Sequence, residues 1–198
     1  MLRGYHLADL FTLANACAGT GAILSLISFL VTPEPWRVYL AFGLLFLAFV
    51  CDVTDGYIAR WRHTHSSFGR ELDSLADIIS FGLAPAIAGY SMGLRGGLDI
   101  LFLVFFVGCG ISRLARFNIT AVELADEQGK VRYFEGLPIP SSLLLVLVLT
   151  LCFALGLVGD HLLLGVVTLG WYNWHPLSLL YFANGCAMIS KTLRIPKW

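Results

Sequence analysis

The chain has 198 residues, of which 58% are hydrophobic and only 13% charged, and its mean hydropathy is +0.78. A soluble domain carries about a quarter charged residues, so the composition excludes an ordinary water-soluble fold and indicates an integral membrane protein. Thirteen basic and thirteen acidic residues leave a net charge of zero, which argues against nucleic acid as a partner.

A membrane span needs about 20 mostly apolar residues. The first predicted span runs from Asp9 to Val31 and stops at Thr32-Pro33-Glu34-Pro35. It contains Asn15 and leads straight into further spans without a small-residue cleavage site, so it reads as a span and not as a leader. The second covers Val38 to Ile58, with Asp52 and Asp55 near its end. The third starts near Phe68, carries Asp73 and Asp77 in its first turns, and continues to Tyr90. The fourth spans Leu98 to Phe117. The polar stretch Glu123 to Glu135 reads as a loop or amphipathic connection, after which Gly136-Leu-Pro138-Ile-Pro140 opens a fifth span reaching Val158. His161 to Gly170 is too short to cross, and a sixth span is expected from Trp174 to Ile189. The cluster Trp171-Tyr172-Asn-Trp174-His175 is expected at an interface, as an aromatic belt. The reading is an all-α integral membrane fold of about six transmembrane helices, one domain over residues 1–198.

Loop charges orient it. With both termini on one side, the loops of that side hold Arg3, Arg60, Arg62, Arg70, Arg113, Arg116, Lys130, Arg132, Lys191, Arg194 and Lys197, 11 of the 13 basic residues. The opposite loops hold only Arg37 and Arg95. The positive-inside rule then puts both termini, and the aspartates, at the cytoplasmic face. The five cysteines are scattered in apolar stretches with no paired spacing and read as small helix residues.

Four carboxylates in such a chain need an explanation. Each costs roughly 2.5–3.5 kcal/mol at membrane depth, on the order of 10 kcal/mol for four left bare. Residues three or four apart share a helix face, so Asp52 with Asp55, and Asp73 with Asp77 on the next, antiparallel helix, are expected to converge. Gly56 and Ala59 remove bulk from the same face, allowing a helix or ligand to approach. Solvated charges at a helix end, or pairs with Arg60 and Arg70, would account for one such aspartate more readily than for four. Clustered carboxylates repel unless cations sit among them, and their hard oxygens suit Mg²⁺ or Mn²⁺, two ions roughly 3.5–4 Å apart. His63 and His65, in the loop between the pairs, read as loop residues because oxygen ligands already suit these ions.

The run D-x2-D-G-x2-A-R-x8-G-x3-D-x3-D is filled by Asp52, Asp55, Gly56, Ala59, Arg60, Gly69, Asp73 and Asp77. It resembles the signature of the CDP-alcohol phosphotransferases, and the six-span layout is similar to theirs. Further stretches resemble the branch that uses serine, the CDP-diacylglycerol–serine O-phosphatidyltransferases. These are Gly69 to Pro85, Ser112-Arg113-Leu-Ala-Arg116-Phe-Asn118 and Phe134 to Pro140, with Thr12-Leu-Ala-Asn15 and Ser190-Lys191. The Trp171–His175 region has no counterpart in that comparison.

The resemblance implies transfer of a phosphatidyl group from CDP-diacylglycerol to L-serine with release of CMP, by a homodimer in the bilayer. It implies that Asp52, Asp55 and Asp73 hold metal, and that Asp77 bridges to a second ion and acts as general base. Asn15 and Ser66 would contact the nucleotide, Gly56 would let it lie on the helix backbone, and Arg60 would pair with a phosphate. Arg113, Arg116 and Asn118 would anchor the serine carboxylate or a lipid phosphate, unless the arginines are ordinary cytoplasmic anchors. Lys191 and Arg194 read as flanking anchors. Gly136 to Pro140 lines a lipid entrance or simply starts a helix. Alternatives stay open: another acceptor, such as glycerol 3-phosphate or inositol phosphate, an archaeal-type ether-lipid donor, and, of a different class and last among them, a divalent-cation transporter. A transporter should show broken helices and repeated halves, and neither is visible in the sequence.

Overall fold

The computed structural model describes residues 7–61, 67–123, 133–169 and 172–196, and most of them are helical. Among the described residues four helices are long and apolar enough to cross a membrane: Leu7–Val31, Pro35–Trp61, Phe68–Met92 and Gly97–Ile119. At 1.5 Å per residue, 25 residues reach about 37 Å, more than the roughly 30 Å of a hydrocarbon core. Two shorter apolar helices follow, Ile139–Ala154 and Pro176–Ile189. The predicted six helical segments are therefore present, and the last two fall short of the length of the first four. The chain divides into two compact units, Met1–Ala84 and Pro85–Trp198.

In the first unit, α1 (Leu7–Val31) packs along α2 (Pro35–Trp61), and α3 (Ser67–Asp77) lies against α1. Pro35 opens α2, where a missing N–H costs nothing, and Glu34 just before it accepts from Arg37 Nε at 2.7 Å and Trp36 Nε1 at 3.1 Å. The Arg37 guanidinium holds the exposed Glu34 carboxyl below its usual range. The inward face of α1 is a stripe of small and polar residues, among them Asp9, Thr12, Asn15, Ala18, Gly19 and Ala22. Small residues let helices pack closely where lipid offers no hydrophobic drive. A Cβ on Gly19 would run into the Ser80 side chain and lie 2.8 Å from its Cα.

The third span is not the uniform α-helix expected from its composition. After Asp77 it widens into a π-helical segment, Ile78–Leu83, before α4 (Ala84–Met92) resumes. Pro85 supplies the reason: it has no N–H for the Phe81 carbonyl, and its ring would clash with that carbonyl in a regular helix. Ser80, Phe81 and Gly82 are buried there, and Phe81 stacks edge-on against Phe49 of α2 at 6.5 Å.

In the second unit, α5 (Gly97–Glu123) packs on α7 (Leu179–Ile189). Phe106 meets Tyr181 edge-on at 5.4 Å, and Phe182 contacts both Phe102 and Phe105 at 5.1 Å. The Tyr181 hydroxyl donates to the Pro85 carbonyl at 2.8 Å. Pro138 and Pro140 begin a 3₁₀ turn, Ile139–Ser142, that feeds α6 (Leu143–Ala154). The fifth helix ends short of the predicted Val158 because Gly156, at φ +72°, closes it: Gly156 N–H bonds Phe153 O and Leu157 N–H bonds Cys152 O.

Short strands accompany the helices. Among the described residues are two small antiparallel ladders, β1 (Tyr133–Glu135) with β4 (Arg194–Pro196) and β2 (Val167–Leu169) with β3 (Tyr172–Trp174). Of the aromatic cluster, Tyr172 to Trp174 form one strand of the second ladder and His175 is buried, while Trp171 lies outside the described residues. All five cysteines are free thiols, as their spacing suggested.

Candidate metal centre and active site

The first unit assembles the aspartates from two helices. Asp52 and Asp55 project from the last turns of α2, and Asp73 from α3. One carboxylate oxygen from each of these three lies within 4.8 Å of the others. Asp55 is buried and its two partners are half-buried. Asp77 stands outside that trio: it is buried, accepts from Asn15 Nδ2 at 3.3 Å, and lies within hydrogen-bonding reach of Asp52. The helical spacing thus brings all four together, as three plus one.

The supports come from α1. Thr12 Oγ1 donates to Asp55 Oδ2 at 2.6 Å. Asn15 is fully buried, and its backbone carbonyl accepts from Ser80 Oγ of the π segment at 3.0 Å. Among the described residues Asn15 Oδ1 has no hydrogen-bond partner. Asp9, one turn before Thr12, is also buried and close enough to Asp55 to repel it. Sequence reasoning missed Asp9 as a neighbour of the centre and gave Thr12 no role. Asp9-x2-Thr12-x2-Asn15, a polar row at helical spacing in an apolar span, was the available signal.

This donor set fits a divalent cation. Three carboxylate oxygens converge, all of them hard ligands. Among the described residues no ion pair joins Arg60 or Arg70 to the aspartates. Arg60 is exposed in the last turn of α2, where a cation also complements the helix dipole. Gly56 is half-buried, and a Cβ built on it would meet nothing within 4 Å, so the face beside Asp55 is open to a ligand. Ser66, His63 and His65 lie outside the described residues.

The acceptor candidates belong to the second unit. Arg113 is buried on α5, with its guanidinium 5.2 Å from the Phe117 ring centre. Arg116 has a structural task, donating from Nη1 to Ile189 O at 3.0 Å and from Nη2 to Met188 O at 3.4 Å. It caps carbonyls that the end of α7 leaves open. Asn118 is half-buried on the same helix, and Lys191 is exposed. Gly136 also serves this helix end: its N–H bonds Leu193 O, and a Cβ there would collide with the Met188 carbonyl. Packing therefore accounts for Gly136, and the proline-started helix for Pro138 and Pro140.

One buried group was not anticipated from the sequence. Asp99, in the first turn of α5, accepts from Gly96 N at 2.9 Å and His175 N at 3.0 Å, and its Oδ2 lies 2.6 Å from His175 Nδ1. Both side chains are almost fully buried.

A membrane-spanning helical fold with carboxylates gathered between neighbouring helices defines a class before any single relative does. The profile of the CDP-alcohol phosphatidyltransferase family matches residues 5–177, and the chain belongs to that family. Among its relatives is the CDP-diacylglycerol–serine O-phosphatidyltransferase of Saccharomyces cerevisiae, 42% identical over 200 residues that cover all of this chain and 72% of that protein. The protein of the same name from Bacillus subtilis is 32% identical over 195 residues, 98% of each chain. The archaetidylserine synthase of Methanothermobacter thermautotrophicus is 38% identical over 141 residues, 68% of this chain and 53% of that one.

Proposed function

We propose that this protein transfers the phosphatidyl group of CDP-diacylglycerol to the hydroxyl of L-serine, giving phosphatidylserine and CMP. The observation that carries the reading is the trio Asp52, Asp55 and Asp73 with Asp77 beside it, in a chain whose full-length relatives are named for this reaction. The archaetidylserine synthase differs in its lipid but also names serine, so the acceptor is the shared element.

Asp52, Asp55 and Asp73 would hold Mg²⁺ or Mn²⁺, with Asp77 reaching a second ion. When bound, such an ion neutralises pyrophosphate charge and stabilises the departing CMP phosphate. Asp77, steadied by Asn15, takes the serine hydroxyl proton as that oxygen bonds the lipid-bearing phosphorus. The bond from this phosphorus to the CMP phosphate oxygen breaks, and the proton leaves Asp77 for solvent afterwards. Gly56 gives the nucleotide room against α2, Asn15 and Ser66 contact it, and Arg60 pairs with a phosphate. Arg113, with Asn118 nearby on α5, receives the serine carboxylate. Arg116 acts on this group through the end of α7 that it caps.

The chain is read as one transmembrane catalytic domain, 1–198, of six crossings, working as a homodimer. The basic-residue segregation supports cytoplasmic termini and a site facing the cytoplasm, where soluble serine arrives. The two arginines on the opposite side are tied locally, Arg37 to Glu34 and Arg95 to the Tyr90 carbonyl and ring.

Purified protein with CDP-diacylglycerol and Mn²⁺ is expected to release CMP with serine and not with glycerol 3-phosphate. Equal release with both acceptors, or none with either, overturns the assignment.

A further inference from the structure

We propose that Thr12 is a positioning residue for the metal centre, acting through Asp55. Its hydroxyl carries one proton and has two acceptors in reach, Asp55 Oδ2 at 2.6 Å and the Ala8 carbonyl at 3.3 Å. The carboxylate takes it, because a charge-assisted bond is shorter and stronger and the Ala8 carbonyl already serves the helix. Thr12 is 3% exposed, so water does not compete for the proton. A β-branched side chain on a helix has few rotamers, so the donor is fixed in direction.

Asp55 needs such a hold. Asp52 and Asp9 both repel it, and the isolated carboxylate would turn away from its neighbours before a cation arrived. One oxygen committed to Thr12 fixes the plane of the carboxylate and hence the direction of the other oxygen. Partners of this kind orient metal ligands, and their loss costs about 10–100-fold in metal affinity. The inference rests on the metal reading above and adds a residue from outside the aspartate motif, on a different helix.

The test is Mn²⁺ binding to detergent-purified protein without substrate, followed by loss of the free-ion paramagnetic resonance signal. Wild type is expected to bind, and Asp55→Asn to lose the ion. Thr12→Val, which keeps the shape, is expected to bind about tenfold more weakly, while Thr12→Ser, which keeps the hydroxyl, stays within about twofold of wild type. In turnover, the Mn²⁺ concentration for half-maximal rate should rise in Thr12→Val, with kcat largely recovered at saturating Mn²⁺. If Thr12→Val does not fold, Thr12→Ala carries the same expectation. Wild-type affinity in the valine or alanine variant, with Asp55→Asn defective, overturns the role of Thr12 alone. A serine variant as weak as valine also overturns it, since the hydroxyl would then be irrelevant. Absence of Mn²⁺ binding by wild type overturns the metal reading and this inference with it.

Discussion

Asp99 and the Asp52–Asp55–Asp73 trio are all carboxylates withdrawn from water, and their surroundings differ. Around Asp99 three N–H groups converge, two from the backbone and one from the His175 ring. The trio turns its oxygens toward one another, and Asp52 also abuts Asp77. A carboxylate answered by protein donors is finished at folding, and removing a partner leaves an orphan. Carboxylates that also face each other keep a mutual repulsion that a donor such as Thr12 only partly offsets, and a cation would relieve it. The glycines beside them follow the same division. A Cβ on Gly96 would strike the Asn173 carbonyl and come within 2.9 Å of Asp99 Oδ2, so the protein fills that space. The equivalent space at Gly56, next to Asp55, is empty.

The largest effect is expected where the open group does chemistry. Asp77→Asn keeps the shape and the trio, so nucleotide binding should persist while turnover falls about 10²–10⁴-fold, the usual contribution of a general base. CMP release at saturating serine, set against CMP affinity by calorimetry, separates the two. Turnover at the wild-type rate would remove Asp77 from the open side of the comparison.

Asp99→Ala should behave the other way. It strands the Gly96 and His175 N–H groups and the His175 ring, each orphaned buried donor costing roughly 1–3 kcal/mol, for a total of about 3–9 kcal/mol. Thermal unfolding in detergent should fall sharply, while CMP release per folded molecule stays near wild type. A variant that folds normally but loses turnover would erase the distinction between closed and open carboxylates.

The open group was legible in the sequence because its information is local. Asp52 with Asp55, and Asp73 with Asp77, sit at helical spacing in a chain with few charges, and helix geometry alone brings each pair to one face. The closed group was not legible, because Asp99 and His175 are 76 positions apart and no periodicity links them. Thr12 and Asn15 fall between these cases. Their row on α1 was visible, but which aspartate each one holds depends on how α1 lies against α2 and α3. The π segment had a local cause in Pro85, whose presence inside the third span was a readable sign of a helix defect. The three-residue ladders carry too short a pattern to read from the sequence.

Gly56→Ala offers the smallest effect and the finest division, because its two consequences have opposite signs. In a helix interior, alanine is better than glycine by about 0.5–1 kcal/mol, and nothing lies within 4 Å of the new methyl to oppose that gain. The variant should therefore unfold at a slightly higher temperature than wild type. The same methyl occupies the space beside Asp55 that is proposed for the nucleotide, so KM for CDP-diacylglycerol should rise a few-fold with kcat little changed. Melting temperature and KM measured on one preparation decide it. A higher melting temperature with an unchanged KM would mean that the space is merely unfilled, and Gly56 would leave the binding surface. A lower melting temperature would mean that the helix needs glycine for packing, as at Gly96, and the contrast between the two sites would shrink to their carboxylates alone.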